Sequence, residues 1–304
     1  MGLLSWGNTQ SGDYRPARSI ARDARDVAIL RPFRFAHAPV SLNDMNSPIL
    51  QTCLPHLPWM DPRLARLPGV VPLGADDWLV VDEAFGPQMA ERDRLIAAAP
   101  DLVYRQLPEG RAASAELYYL ILSRLATRPG YQITAQTALR PDGVLVPLDP
   151  DEPLKTLGRL VQEDLCLMEK SGEEHRLTGA VLCFPASWHL HEKIGRPLIG
   201  IHRPVPSYDG NLAPRVQRMF DVIRPDAGLW RMNALVYRDP TLHQPRREDD
   251  PRIDRRGGSY LRAERQCFVR LPQTQAVLFS IHTYVVPLEN LPPEAVAALD
   301  EARL

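Results

Sequence analysis

The 304-residue chain has only four cysteines, Cys53, Cys166, Cys183 and Cys267, and no two of them stand in a C-x-x-C spacing. That excludes zinc ribbons, redox dithiols and iron–sulfur loops, and leaves buried thiols in a reducing compartment as the expectation. No stretch approaches the roughly 18–20 unbroken apolar residues of a membrane span. Charge of one sign is also missing: 36 Lys and Arg face 37 Asp and Glu, so no global field attracts nucleic acid or an anionic membrane. The opening Met1-Gly2-Leu3-Leu4-Ser5-Trp6 puts tryptophan where an N-myristoylation signal needs Ser or Thr. The arginines between Arg15 and Arg34 are interrupted by Asp23 and Asp26, and no apolar signal-peptide core follows them. A soluble, cytoplasmic protein is expected. A glycine-rich phosphate loop, a G-x-S-x-G elbow, an H-E-x-x-H helix and solenoid-period repeats are all absent, which removes the commonest nucleotide, hydrolase and metalloprotease readings.

What is present is enough apolar residue, 44%, for a sizeable core in one or two domains. Residues 1–40 lack periodicity and read as an arm, and the prolines from Pro55 to Pro72 favour extended, turn-broken chain. Trp78-Leu79-Val80-Val81-Asp82 reads as a strand, and residues 85–100 and 111–130 as helices stopped by Pro100 and by Pro129-Gly130. Residues 152–170 read as a third helix, with Leu154, Leu157, Val161, Leu165 and Met168 on one face and Gln162-Glu163-Asp164 on a solvated one. After a turn at Ser171-Gly172 the texture becomes β: 178–185, 229–238, 259–272 and 275–287 are rich in β-branched and aromatic residues. A helix at 212–223 interrupts them, giving strand, helical insertion and then three strands able to form a meander. The mixed charges of 243–258 read as a solvated hairpin tip.

Of the eight histidines, His189 and His191 could share a strand face and bind metal, but the residues around them read as a loop entering a helix, which favours surface positions. His202 lies in an apolar run, Leu198-Ile199-Gly200-Ile201-His202, closed by proline. A partly buried imidazole there needs a partner, and a carboxylate or an iron would serve, since an unsatisfied buried polar group costs about 1–3 kcal/mol. The same holds for His282 in Phe279-Ser280-Ile281-His282.

An ordered series of motifs then stands out. It runs through Trp78–Asp82, Arg111–Leu117, Gln162-Glu163-Asp164-Leu165, Phe184–Trp188, Glu192–Leu198, Ile201-His202 and Pro204-Val205-Pro206. It continues through Arg231-Met232-Asn233, Glu264-Arg265-Gln266, Arg270-Leu271-Pro272 and Phe279–Tyr284. Together these resemble the haem-dependent oxidative N-demethylase α-subunit-like family over residues 58–298. The resemblance implies an α+β, PAS-like antiparallel sheet with helices packed on one face and an N-terminal helical, proline-rich extension. It implies an irregular arm at 1–57, a haem-binding domain at 58–298 and a tail at 299–304.

It further implies haem b, with His202 as axial ligand and Trp188, Lys193 and Arg265 as cofactor contacts. The family's chemistry is oxidative removal of a methyl group from a small secondary amine, using O₂ and electrons from separate NADPH-dependent flavin and iron–sulfur subunits. Candidates for the reacting face are Arg231, Asn233, Arg262, Glu264 and His282; strand alternation puts Arg262 and Glu264 on one face and Arg265 on the other. Two residues depart from the pattern: Ala234 replaces a usual tryptophan, and His282 stands where many relatives have arginine. Both bear on the substrate more than on haem. A non-catalytic haem-binding gas or small-molecule sensor is the competing reading.

Overall fold

The structure is a computed structural model and describes residues 47–302 except 66, 75, 76, 204–210 and 252. The expected N-terminal arm therefore lies largely outside the described residues, as does Pro204-Val205-Pro206.

Chain order begins with α1 (Pro62–Ala65), β1 (Val71–Pro72), α2 (Phe85–Ala98), α3 (Pro100–Val103), β2 (Tyr104–Gln106) and α4 (Arg111–Leu125). A small three-stranded sheet follows, β3 (Gln132–Ile133), β4 (Thr137–Leu139) and β5 (Leu145–Pro147), and then α5 (Pro153–Gly158). The hairpin β6 (Asp164–Ser171) and β7 (Glu174–Val181) leads into α6 (Leu190–Lys193), α7 (Leu198–His202) and α8 (Leu212–Val222). The meander β8 (Leu229–Tyr237), β9 (Tyr260–Arg270) and β10 (Val277–Pro287) precedes α9 (Pro293–Ala302). The main sheet is antiparallel, in the order β1-β8-β9-β10-β6-β7-β2. This is the expected α+β, PAS-like arrangement, with the single strand expected before the helical insertion and meander found as the second strand of a hairpin.

Period-2 alternation sends successive side chains to opposite faces. Leu165, Leu167, Cys267 and Leu278 meet α2, α4 and α5 on one face. Cys166, Met168, Phe268 and Ile281 meet α6, α7 and α8 on the other. The helices preceding β6 thus cover one face, and the insertion covers the second. Within α8, Val216, Met219 and Phe220 fall on the sheet side, as their helical spacing requires.

Three expectations are corrected. The helix expected over 152–170 ends at Gly158, and β6 starts at Asp164. An apolar run buried on both sides cannot be told from a buried helix by periodicity. Gln162, Glu163 and Asp164, expected in solvent, have no exposed surface. Asp164 takes Arg92 at 2.6 Å in an ion pair with both side chains fully buried, and its oxygens also accept the N–H groups of Cys183 (2.7 Å) and Phe184 (2.9 Å). Trp78–Asp82, expected as a strand, forms none, because side chains take its backbone donors: Val80 N–H bonds Glu163 and Asp82 N–H bonds Gln162.

Removing one partner of a buried pair leaves an uncompensated charge. Asp164→Ala is therefore expected to lower unfolding stability by roughly 3–5 kcal/mol. Urea denaturation checks it, and an unchanged midpoint would contradict the role given to this pair.

Candidate functional site

Between the insertion and the meander lies a cavity of about 880 Å³, inside the roughly 300–1,000 Å³ range of small-molecule and cofactor sites. Phe268, Phe279, Ile281, Cys166 and Met168 form its sheet wall, and Val216, Met219 and Phe220 of α8 face them. The walls are thus largely apolar, with polar groups on β8 and β9, on the insertion and on the 243–258 segment.

His202 lines this cavity from the last turn of α7, half-buried, with Nδ1 2.9 Å from the Leu198 carbonyl oxygen. That bond favours the tautomer with its proton on Nδ1 and its lone pair on Nε2, the form in which imidazole binds metals. Burial pulls its pKa below the ordinary 6.5, against the opposing carbonyl bond, so the ring is neutral near pH 7. Trp188 and Lys193 line the same cavity. Lys193 is buried, and its Nζ donates to the Ile201 carbonyl (2.8 Å), beside His202, and to Glu248 (2.7 Å).

On the sheet wall Arg231, Asn233, Glu264 and Gln266 share one face, because Arg231 pairs with Gln266 and Asn233 with Glu264 across β8 and β9. Gln266 joins them: its Oε1 accepts from Arg231 (3.0 Å), and its Nε2 donates to Glu264 Oε2 (3.0 Å). Asn233 Nδ2 reaches the same oxygen at 3.4 Å. Burial lowers the pKa of Arg231 from the usual arginine value, with the charge of Glu264 opposing.

Arg262, Arg265 and His282 do not join this group. Arg262 shares the strand face of Glu264, but its guanidinium turns to the Thr241, Leu242 and Phe184 carbonyls, leaving Nε 3.9 Å from Glu264 Oε1. Arg265 lies on the opposite face, stacked 5.0 Å over Trp230 and bonded to the Asp77 carbonyl, so it does not line the cavity expected to hold the cofactor. His282 pairs with Arg265 across the sheet and points the same way, away from the cavity. It is held at 3.1 Å by both Glu163 and Asp82. The odd-numbered/even-numbered alternation that separated Arg265 from Glu264 also separates His282 from Ile281.

Several lining residues carried no signal of their own in the sequence. Gln266 stands in the Glu264-Arg265-Gln266 motif but was not singled out there as a site residue. Arg246, Ile253 and Arg255 line the cavity from the 243–258 segment, which is more than a solvated tip: Glu248 ties it to Lys193 and Arg196, each at 2.7 Å. His191 is exposed and bonds Arg105 (2.8 Å) and the Asp101 carbonyl (2.7 Å), in keeping with a surface position. No cluster of three or more His, Cys, Asp or Glu suited to a metal ion occurs among the described residues. None of the helices among them is long and apolar enough to cross a membrane.

Burial alone would lower the pKa of His282, but the hydrogen bonds and charges of Asp82 and Glu163 outweigh it and raise the value from 6.5 to about 9. A pKa raised by folding contributes stability that is fully present below about pH 6.5 and lost as pH rises through about 9. Unfolding free energy is therefore expected to fall across that window, by up to about 1.4 kcal/mol per pH unit. Denaturant titrations of wild type and His282→Gln check this: the variant should lose the slope, and an identical slope in both would contradict it.

The α+β fold with its antiparallel sheet accords with a family match over most of the chain. Residues 69–302 match the family described as haem-dependent oxidative N-demethylase, alpha subunit-like, and the chain belongs to that family.

Proposed function

We propose that the cavity holds haem b and that the protein is the haem-bearing part of an oxidoreductase that removes a methyl group from a small secondary amine. The observation that carries this reading is a largely apolar cavity of cofactor size with a neutral, Nδ1-anchored histidine on its wall, in a chain of this family. A haem needs one axial protein ligand rather than a cluster, so His202 alone suffices. Its two carboxylates need cations, and among the described residues the lining supplies Lys193, Arg231 and Arg246 beside one carboxylate, Glu264. The residues present therefore fit the group.

His202 would bind iron through Nε2, with Lys193 supporting the α7 carbonyl next to it. Trp188, Phe268, Phe279 and Ile281 would enclose the apolar ring, and Lys193 and Arg246 would face its carboxylates. Bound haem supplies dioxygen binding and electron acceptance. The chain's own residues handle the substrate. Asn233 and Gln266 hold Glu264 by one oxygen, leaving lone pairs on Oε1 for the N–H of a protonated amine. An ammonium partner offsets the cost of a carboxylate facing an apolar cavity. Arg231, fixed by Gln266, places positive charge on the same wall, where it can stabilise negative charge developing on oxygen.

In overall balance, one O₂, two external electrons and two protons convert the N-methyl amine to the demethylated amine, formaldehyde and water. Separate NADPH-dependent flavin and iron–sulfur subunits would deliver the electrons. Glu264 favours this reading over a gas sensor, because a neutral diatomic ligand calls for no carboxylate beside it.

Protein expressed with ample haem should show a Soret band that is lost or shifted in His202→Ala. It should also release formaldehyde from a secondary amine when given O₂ and reductant. A wild type that binds no haem would overturn the proposal.

A further inference from the structure

Off the main cavity lies a recess of about 80 Å³ lined by Ala186, Asn233, Leu235, Tyr237, Arg255, Arg262 and Glu264. Ala186, Asn233, Leu235, Arg255 and Glu264 line both spaces, so the recess adjoins the cavity along the edge where the amine would sit. Its volume holds several water-sized groups and no large side chain.

The charges in the recess are unbalanced. Among the described residues two guanidinium groups, Arg255 and Arg262, face one carboxylate, Glu264. The bonds of Arg262 are spent on three backbone carbonyls, and only its Nε approaches Glu264. Arg255 is different. It donates to the Tyr237 hydroxyl at 3.1 Å, stacks 4.8 Å over that ring, and pairs with no carboxylate among the described residues; its Nε, like that of Arg262, is buried without a partner. A simple ammonium on Glu264 would raise the positive excess and leave Arg255 unmatched. A zwitterion would bring a carboxylate for Arg255 together with an ammonium for Glu264. A guanidinium–carboxylate contact is among the stronger and more directional polar interactions available.

We propose that the substrate is a small N-methylated amino acid or related amino carboxylate, its ammonium on Glu264 and its carboxylate on Arg255. This rests on the demethylase reading above and narrows its substrate class. The C–N bond to the methyl group breaks, and the methyl carbon leaves as formaldehyde. One oxygen atom of O₂ ends in that formaldehyde, and the other ends in water with two protons and two electrons from an external reductant. The carboxylate is unchanged.

The test is calorimetric titration of the haem-loaded protein with N-methylglycine, dimethylammonium and acetate, alongside Soret-band perturbation. N-methylglycine should bind at least about tenfold more tightly than dimethylammonium. Arg255→Gln should abolish that preference while leaving dimethylammonium affinity near wild type, and Arg255→Lys should keep part of it. Equal or weaker binding of N-methylglycine overturns the proposal, as does an unchanged preference in Arg255→Gln. A variant that instead loses haem faster assigns Arg255 to the cofactor and also overturns it. The Soret band, read before any ligand is added, separates this outcome from failure of the parent reading. If wild type shows no band, haem binding fails, and calorimetry on the haem-free protein still decides whether the recess prefers the zwitterion.

Discussion

Asp164 and Arg92 meet with neither side chain exposed, and most of the architecture is arranged around that contact. Arg92 projects from α2 and also donates to the Gly158 carbonyl at the end of α5. Asp164 opens β6 and takes the backbone donors of Cys183 and Phe184, where the chain leaves β7 for the insertion. One ion pair thus joins the helical layer, the first strand of the hairpin and the corner that sends the chain over the second face. Such a pair adds little net stability over a well-packed apolar substitute, but each partner makes the other indispensable. Glu163 and Gln162 extend the network to His282, Asp82 and Gln88, so a single polar triplet clamps α2, the segment before it and β10.

The alternation of strands divides the labour of the sheet. Facing the N-terminal helices, His282, Glu163 and Asp82 form a charged cluster with Gln162 and Gln51 around it, and nothing in it touches the cavity. Facing the insertion, Arg231, Asn233, Glu264 and Gln266 interrupt an otherwise apolar wall. Structural charge and site charge are one residue apart in sequence, Arg265 beside Glu264, yet separated by the thickness of the sheet. The short helices of the insertion bring His202 to the cavity, and Lys193 links that helix to the long loop between β8 and β9 through Glu248. A change in that loop could therefore reach both the histidine and the recess at Arg255.

Much of this was legible in the sequence, and the reasons differ from place to place. The meander was readable because β8, β9 and β10 are bounded by glycine and proline and rich in strand-forming residues. The α8 face was readable because Leu212, Val216, Met219 and Phe220 repeat at helical spacing. Glu264 and Arg265 could be sorted by parity alone. The β6 strand could not, because Leu165-Cys166-Leu167-Met168 is buried on both sides and carries no period. Gln162-Glu163-Asp164 looked solvated because burial of three adjacent polar side chains depends on partners such as Arg92 and His282, 70 to 120 residues away. Arg255 was hidden for the opposite reason: a guanidinium in a charged loop looks like solvent-facing surface until the fold turns it inward.

The central claim is that the insertion and the meander enclose a haem whose iron is bound by His202. It is tested most directly by a crystal structure of the haem-loaded protein. The account predicts iron within coordination distance of His202 Nε2, the ring between α8 and the Phe268–Phe279 wall, and Glu264 beside the open face. Haem ligated by another residue, or seated outside this cavity, would contradict it.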